Sequence, residues 1–229
     1  MTGVFILVEP AVPGNIGAAA RAIKVMGFNQ LWLINPAPYL DGEAKWRAHG
    51  SYGILEKARV FSSLTEASQH LDLLIGTSAK KRRIKEDYIS MEEIPPKLLL
   101  NSQSVQKFGI VFGREESGLT NEEIQLCDWI SYISMQTSYP SLNLSQAVML
   151  YAYTLSLHTK IWEKIDRPES QQGYRNVKST LYETLKIIGF KDNQPILSRI
   201  LERVSHLGDK DLNLLHSVIN KIQKYYKSW

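Results

Sequence analysis

Five short apolar runs recur through the first two thirds of the chain: Val4–Val8 (VFILV), Leu31–Ile34 (LWLI), Leu71–Ile75 (LDLLI), Gly109–Phe112 (GIVF) and Trp129–Ile133 (WISYI). None shows the strict alternation of a strand with one face in water, so each reads as a strand covered on both faces. Helical stretches lie between them, among them Ile16–Met26 and Asn121–Cys127. Strands that alternate with helices in this way predict an α/β fold: a mostly parallel sheet with helices on both faces. The apolar start MTGVFILVEP lacks a basic n-region and a cleavage site, and it reads as the first buried strand rather than a leader.

Cap signals sharpen the helix boundaries. Asn15 is placed to cap a helix that Gly27 closes. Thr120 with Glu123, and Asn143 with Gln146, have capping-box spacing. A long amphipathic helix is expected from Leu144 toward Lys164, followed by the polar stretch Asp166–Asn176 with Pro168 and Gly173. Beyond it the apolar period is helical, with stripes at Val177, Leu181, Leu185 and Ile188, at Leu197, Leu201 and Val204, and at Leu212, Leu215, Ile219 and Ile222. The expected organisation is a main domain over 1–164, a linker over 165–176 and a small helical extension over 177–229. Three short helices make a marginal core alone, so they are expected to dock on the main domain or on a second subunit.

Composition narrows the function. With 229 residues, 44% hydrophobic and 22% charged, the chain has enough apolar content for a globular core, and no run approaches the length needed to cross a bilayer. Cys127 is the only cysteine, which excludes an intrachain disulfide and a cysteine-rich zinc site and fits a reducing cytoplasm. The five histidines show no HxxxH pairing, so no metal is expected. A net charge of +4 leans toward a polyanionic partner.

Three segments stand where strands end, the place at which open α/β sheets bind ligands. Glu9–Gly27 (EPAVPGNIGAAARAIKVMG) sets Arg21 among small residues that let other backbone approach closely. GNIG is not GxGxxG, which disfavours a dinucleotide site. Gly109–Glu123 (GIVFGREESGLTNEE) runs a buried strand into a charged turn bracketed by Gly113 and Gly118. Tyr139–Leu144 (YPSLNL) places Ser141 and Asn143 beside a helix N-terminus, where polar and anionic groups are favoured. Taken singly, these are equally a tight turn into an alanine-rich helix, an ordinary strand-turn-helix and a plain cap.

In order and together, PGNIGAAARAIKVMGF, VFGREESGLTNEE and YPSLNLSQAVMLYAY resemble the three signature motifs of the SpoU/TrmH branch of the SPOUT RNA methyltransferases. The resemblance is closest to the TrmJ-like members and their LasT-like relatives. It covers residues 4–158 strongly and extends more weakly through VKSTLYETLKIIGF.

The resemblance implies a C-terminal trefoil knot, which no local pattern would suggest. It implies an S-adenosyl-L-methionine pocket made of three loops: Thr77, Ser78 and Ala79; Gly113 through Gly118, with Gly113 allowing close approach of the cofactor; and Ile133 onward, closed by Pro140, Ser141, Leu142 and Asn143. It implies methyl transfer to a ribose 2′-oxygen of tRNA, with the anticodon loop, at cytidine or uridine, as the site favoured by the TrmJ-like members. It implies that Arg21 is the central catalytic residue, as base or as phosphate anchor, that Asn15 orients the first motif, and that Glu115 and Ser141 take part behind them. A homodimer is expected. The same motifs also serve ribosomal RNA methyltransferases, and a related module that binds RNA without catalysis is the remaining alternative. The run Lys80, Lys81, Arg82, Arg83 and Lys85 directly follows the first cofactor loop and is expected to contact RNA phosphates. Lys45-Trp46-Arg47-Ala48-His49 sets an aromatic between cations, equally a base platform, core or dimer surface.

Overall fold

The computed structural model describes residues 1–80, 82, 84–136, 142–159, 162 and 173–227. Seven strands form one sheet in the order β3-β2-β1-β6-β4-β7-β5: β1 Thr2–Val8, β2 Leu31–Ile34, β3 Arg59–Phe61, β4 Leu73–Thr77, β5 Tyr88–Ser90, β6 Lys107–Phe112 and β7 Trp129–Tyr132. Every pairing is parallel. The five inner strands are the five apolar runs of the sequence, displaced at most by two residues at their ends. The two edge strands, β3 and β5, are three residues each and carry no such run.

The helices are α1 Pro13–Val25, α2 Gly42–Ala48, α3 Tyr52–Glu56, α4 Leu64–Ser68, α5 Ile94–Leu100, α6 Asn121–Leu126, α7 Leu144–Ser156, α8 Tyr174–Ile187, α9 Pro195–Val204 and α10 Asp209–Lys227. Residues on β1 divide strictly between two cores: Phe5 and Leu7 pack with α1, α5 and α7, while Val4, Ile6 and Val8 pack with α4 and α6. This two-period alternation between equally apolar faces is why the strands read as unbroken hydrophobic runs.

The expected linker is shorter than the sequence suggested. Tyr174, Arg175 and Asn176 already lie in α8, because Gly173 occupies the cap position with extended backbone. Residues 165–172 fall outside the described residues. The described part of the helix from Leu144 ends at Ser156, short of Lys164. The C-terminal helices dock on the main domain: Val177, Leu181, Leu185, Leu197, Val204, Leu212 and Ile219 join the same core as β1 and α7. Asp128, at the start of β7, accepts from the Leu74 amide at 2.9 Å and from the Lys178 ammonium of α8. The Trp129 indole donates to the Ser205 carbonyl at 2.6 Å.

β7 is inserted between β4 and β5, so the 78–87 connection that joins those two strands crosses it. This arrangement fits the knot that the resemblance implies. Among the described residues, no helix is long and apolar enough to cross a membrane.

Candidate active site

β6, β4 and β7 are adjacent and parallel, so Phe112, Thr77 and Tyr132 end at one edge of the sheet. The loops that leave this edge carry Gly113–Gly118, Thr77–Ala79 and Ile133, three segments far apart in sequence. β1 lies beside β6 and delivers Glu9 to the same edge, from which the chain enters α1. Pro140 and Ser141 lie outside the described residues. Leu142 is half-buried, and Asn143 caps α7 in a complete capping box with Gln146.

Asn15 does not cap α1. The cap position is Val12, with Pro13 opening the helix. A carboxylate from another segment serves the orphan amides instead: Glu115 accepts from Ala11 N at 3.2 Å and Val12 N at 3.3 Å. An anion at a helix N-terminus also meets the favourable end of its dipole. Asn15, inside the first turn, is thereby free to donate its Nδ2 to Glu115 at 3.1 Å and to accept from Asn143 Nδ2 at 2.9 Å. The Asn143 Oδ1 in turn accepts from Ser145 N at 2.9 Å. Burial opposes ionisation of Glu115, but the donors Asn15, Ala11 and Val12 outweigh it and hold the carboxyl below its ordinary value.

Arg114 braces the second loop. Its Nε donates to Glu9 at 2.8 Å, and NH1 and NH2 fork onto Glu123 at 3.0 and 3.1 Å. These bonds raise the arginine pKa further, so its charge is permanent. Glu123 also completes the capping box of Thr120 on α6. One guanidinium therefore joins the end of β1, the loop and α6. Sequence reasoning gave Arg114 no role; its place in the GREE run was the available signal.

Gly113 is a glycine for a different reason than the resemblance implied. A Cβ there would lie 2.1 Å from the Gly118 carbonyl carbon and 2.2 Å from Leu119 N. Arg114 N and Gly118 N exchange bonds with each other's carbonyls at 3.2 and 2.9 Å, and Gly118 sits at φ +70. The missing side chain is occupied by the loop's own backbone.

The loop after β4 is similarly tied. Thr77 Oγ1 donates to the Val111 carbonyl at 2.9 Å, and Ser78 N donates to Ser131 O at 2.9 Å. Ala79 and Lys80 are exposed. The basic run that follows does not present a uniform cationic face. Arg82 is half-buried and donates to the Leu119 carbonyl at 2.8 Å and to Asn121 Oδ1 at 3.3 Å. Lys85 turns inward and donates to the Cys127 carbonyl, and burial lowers its pKa, with Asp128 opposing. Both therefore brace the protein in this structure, where phosphate contacts were expected; a buried cation needs such acceptors. Lys81 and Arg83 lie outside the described residues.

Arg21 is exposed on α1. With Trp46, Arg47 and His49 it lines an open groove of about 590 Å³ floored in part by Ala18 and Met149. Trp46 is 75% exposed, which removes core packing from its possible roles. Beside the groove α2 lies hard against α1: a Cβ on Gly17 would sit 2.0 Å from the Ala44 carbonyl oxygen. Among the described residues, no group of three or more His, Cys, Asp or Glu is placed to hold a metal ion.

The SpoU rRNA Methylase family matches residues 3–153 of this chain. The chain belongs to that family. Its relatives include LasT of Escherichia coli K12, named an uncharacterized tRNA/rRNA methyltransferase, 36% identical over 219 residues that make up 96% of each protein. The tRNA (cytidine/uridine/adenosine-2′-O-)-methyltransferase TrmJ of Pseudomonas aeruginosa is 33% identical over 96% of this chain and 93% of its own. Among solved structures, a probable methylase family protein from Haemophilus influenzae matches with a TM-score of 0.65 at 32% identity, covering 98% of this chain and 97% of that one.

Proposed function

We propose that this chain transfers a methyl group from S-adenosyl-L-methionine to a ribose 2′-oxygen of tRNA, and that it does so as a homodimer. The observation that carries the reading is the meeting of the three pocket loops at the ends of β6, β4 and β7, tied to the first motif on α1 through Glu115, Asn15 and Asn143. Family membership and the TrmJ relative supply the reaction class.

The residues present fit the cofactor. Ile133 and Leu142 are half-buried apolar side chains suited to an adenine ring, and the backbone of 77–79 and 113–118 offers polar edges for the ribose and methionine parts. When bound, S-adenosylmethionine supplies an electrophilic methyl on a sulfonium. The protein's part is placement and charge. Thr77 and Ser78 are fixed by β6 and β7, and Arg114 holds the 114–118 loop in one shape, so the pocket edges are preorganised before anything binds.

Arg21 is assigned to the nucleotide. A guanidinium stays protonated, so it anchors the adjacent phosphate and stabilises negative charge growing on the 2′-oxygen, while the hydroxyl proton leaves to water in the open groove. Its helix is oriented by Glu115 at one end and by contact with α2 and α7 along its length.

The dimer rests on an exposed apolar surface. α1 and α7 pack together yet leave Val25, Leu150, Tyr153 and Leu157 exposed. Apolar side chains gathered on two adjoining helices fit a symmetric contact with a second copy. The chain after β7 is also proposed to pass through the loop formed by 78–87, giving the knot.

Nucleoside mass spectrometry of tRNA and ribosomal RNA from a deletion strain and its parent tests the reading. Loss of one 2′-O-methylated nucleoside from tRNA is expected. Loss from ribosomal RNA alone would move the substrate, and no loss from either would leave an RNA-binding module without catalysis.

A further inference from the structure

The connection from β4 to β5 has one end in the proposed cofactor pocket and the other on the C-terminal extension. Glu202 of α9 accepts from both the Glu86 and Asp87 amides through the same oxygen, Oε1, at 3.0 and 3.1 Å. Its side chain is only 9% exposed, and burial opposes its charge while these two amides, Lys85 and Arg199 favour it; the result lies below the ordinary value. Around it, Arg199 pairs with Glu86, and Arg203 pairs with Asp87 at 3.1 Å. The helix that carries Glu202 is itself fixed to β7: Ser205 Oγ donates to the Asp128 carbonyl at 3.1 Å, and the Ser205 carbonyl accepts from Trp129.

We propose that Glu202 is a positioning residue for the cofactor loop. By holding both amides at 86–87, it fixes the far end of a connection whose near end, Thr77 to Lys80, borders the pocket. Between the two ends the connection is fastened by Arg82 to Leu119 and by Lys85 to Cys127. Together with the Arg199–Glu86 and Arg203–Asp87 pairs these fasteners leave a short connection few alternative shapes, and releasing the two amides that Glu202 holds restores conformational entropy that cofactor binding must then remove. The C-terminal extension thus acts on cofactor affinity through a carboxylate that never meets the cofactor.

The inference rests on the proposed use of S-adenosylmethionine. Its test uses the full chain with Glu202→Ala and Glu202→Gln, with Asp209→Ala as the comparison. Asp209 holds the Gln103 and Ser104 amides at 2.8 and 3.0 Å from the same extension, away from the 78–87 connection. Glu202→Ala is expected to raise the KM for S-adenosylmethionine about tenfold, the scale of losing a charged acceptor from paired amides. The kcat and the KM for tRNA should stay within about twofold, measured well below the melting temperature. Glu202→Gln, which keeps an acceptor oxygen, is expected to fall between.

Hydrogen exchange of the protein without cofactor supplies the second readout: the Glu86 and Asp87 amides should exchange faster in Glu202→Ala and unchanged in Asp209→Ala. Faster exchange with an unchanged cofactor KM overturns the proposal, as does an equal rise in KM for Asp209→Ala. Unchanged exchange at 86–87 overturns it too. A wild-type protein that binds no S-adenosylmethionine defeats the proposed function instead, and is recognised by that before any variant is compared.

Discussion

Asn143 donates its side-chain amide to Asn15 across 2.9 Å, joining the N-cap of α7 to the first turn of α1. Because Asn15 in turn donates its own side-chain amide to Glu115 at 3.1 Å, all three sequence motifs meet in one chain of hydrogen bonds. The arrangement couples the loop that closes the proposed pocket to the helix that carries Arg21.

Replacing Asn15 by alanine is therefore expected to break both bonds of this chain at once. Glu115 loses a donor to its charge, worth about 1.5–3 kcal/mol, and Asn143 loses its acceptor. Methyl transfer should fall at least about tenfold, in step with a lower melting temperature. Single-turnover kinetics with wild-type-like rates in Asn15→Ala would show that the relay is incidental.

Arg21→Ala should remove nearly all methyl transfer while leaving S-adenosylmethionine affinity close to wild type. The side chain is exposed in a groove on α1, apart from the three loops at the ends of β6, β4 and β7. Calorimetry on the variant checks the second half of the statement. Turnover above about a tenth of wild type, less than roughly 1.4 kcal/mol lost from the transition state, would take Arg21 out of the reaction.

Gly113→Ala is expected to unfold or strongly destabilise the protein. Its added methyl would overlap Gly118 and Leu119 backbone at 2.1–2.2 Å, and backbone held by the Arg114–Gly118 pairing cannot turn aside as a side chain would. The resemblance implies a glycine that lets the cofactor approach, which would leave stability intact. Thermal denaturation separates the two: a melting point within a few degrees of wild type would return the empty space to the ligand.

How much could be read in advance follows from where each signal resides. The inner strands were legible because burial on both faces leaves an apolar run. The edge strands β3 and β5 were not, since Arg59 and Val60 are exposed and three residues establish no period. The capping boxes at Thr120 and Asn143 are local, and both formed as expected. Asn15 failed as a cap because its competitor, Glu115, comes from 100 residues away. The charge of the basic run was visible, but the direction of each side chain depends on carbonyls at Leu119 and Cys127 that only the fold brings near.

Acid should weaken the fold through Glu115 and Glu202. Both carboxyls are held below their ordinary value in the folded chain. A group with a depressed folded pKa stabilises fully above the unfolded carboxylate range, about 4.3, and that contribution is lost as pH falls through the folded value. Melting temperature should thus drop from about pH 5 downward, and the drop should be shallower in Glu115→Gln. Identical acid profiles for the variant and the parent would exclude Glu115 from the effect.

The basic run gives the sharpest contrast between charge as sequence and charge as structure. Lys85 directs its ammonium to the Cys127 carbonyl, beside Asp128, and Arg82 spends its guanidinium on Leu119 and Asn121. Neither releases counterions on RNA binding while so engaged. The Arg82→Ala, Lys85→Ala double variant should therefore keep the slope of log affinity for tRNA against log salt within about half a contact of wild type. It should lose melting temperature instead, because carbonyls at Leu119 and Cys127 are left without these donors. Lys80, exposed at the pocket edge, is free to behave differently, and Lys80→Ala should flatten the slope by up to about one contact. Binding measured at several salt concentrations distinguishes the two variants directly. A double variant that is as stable as wild type but loses about two contacts of slope would mean that both side chains leave these carbonyls for phosphates when RNA binds.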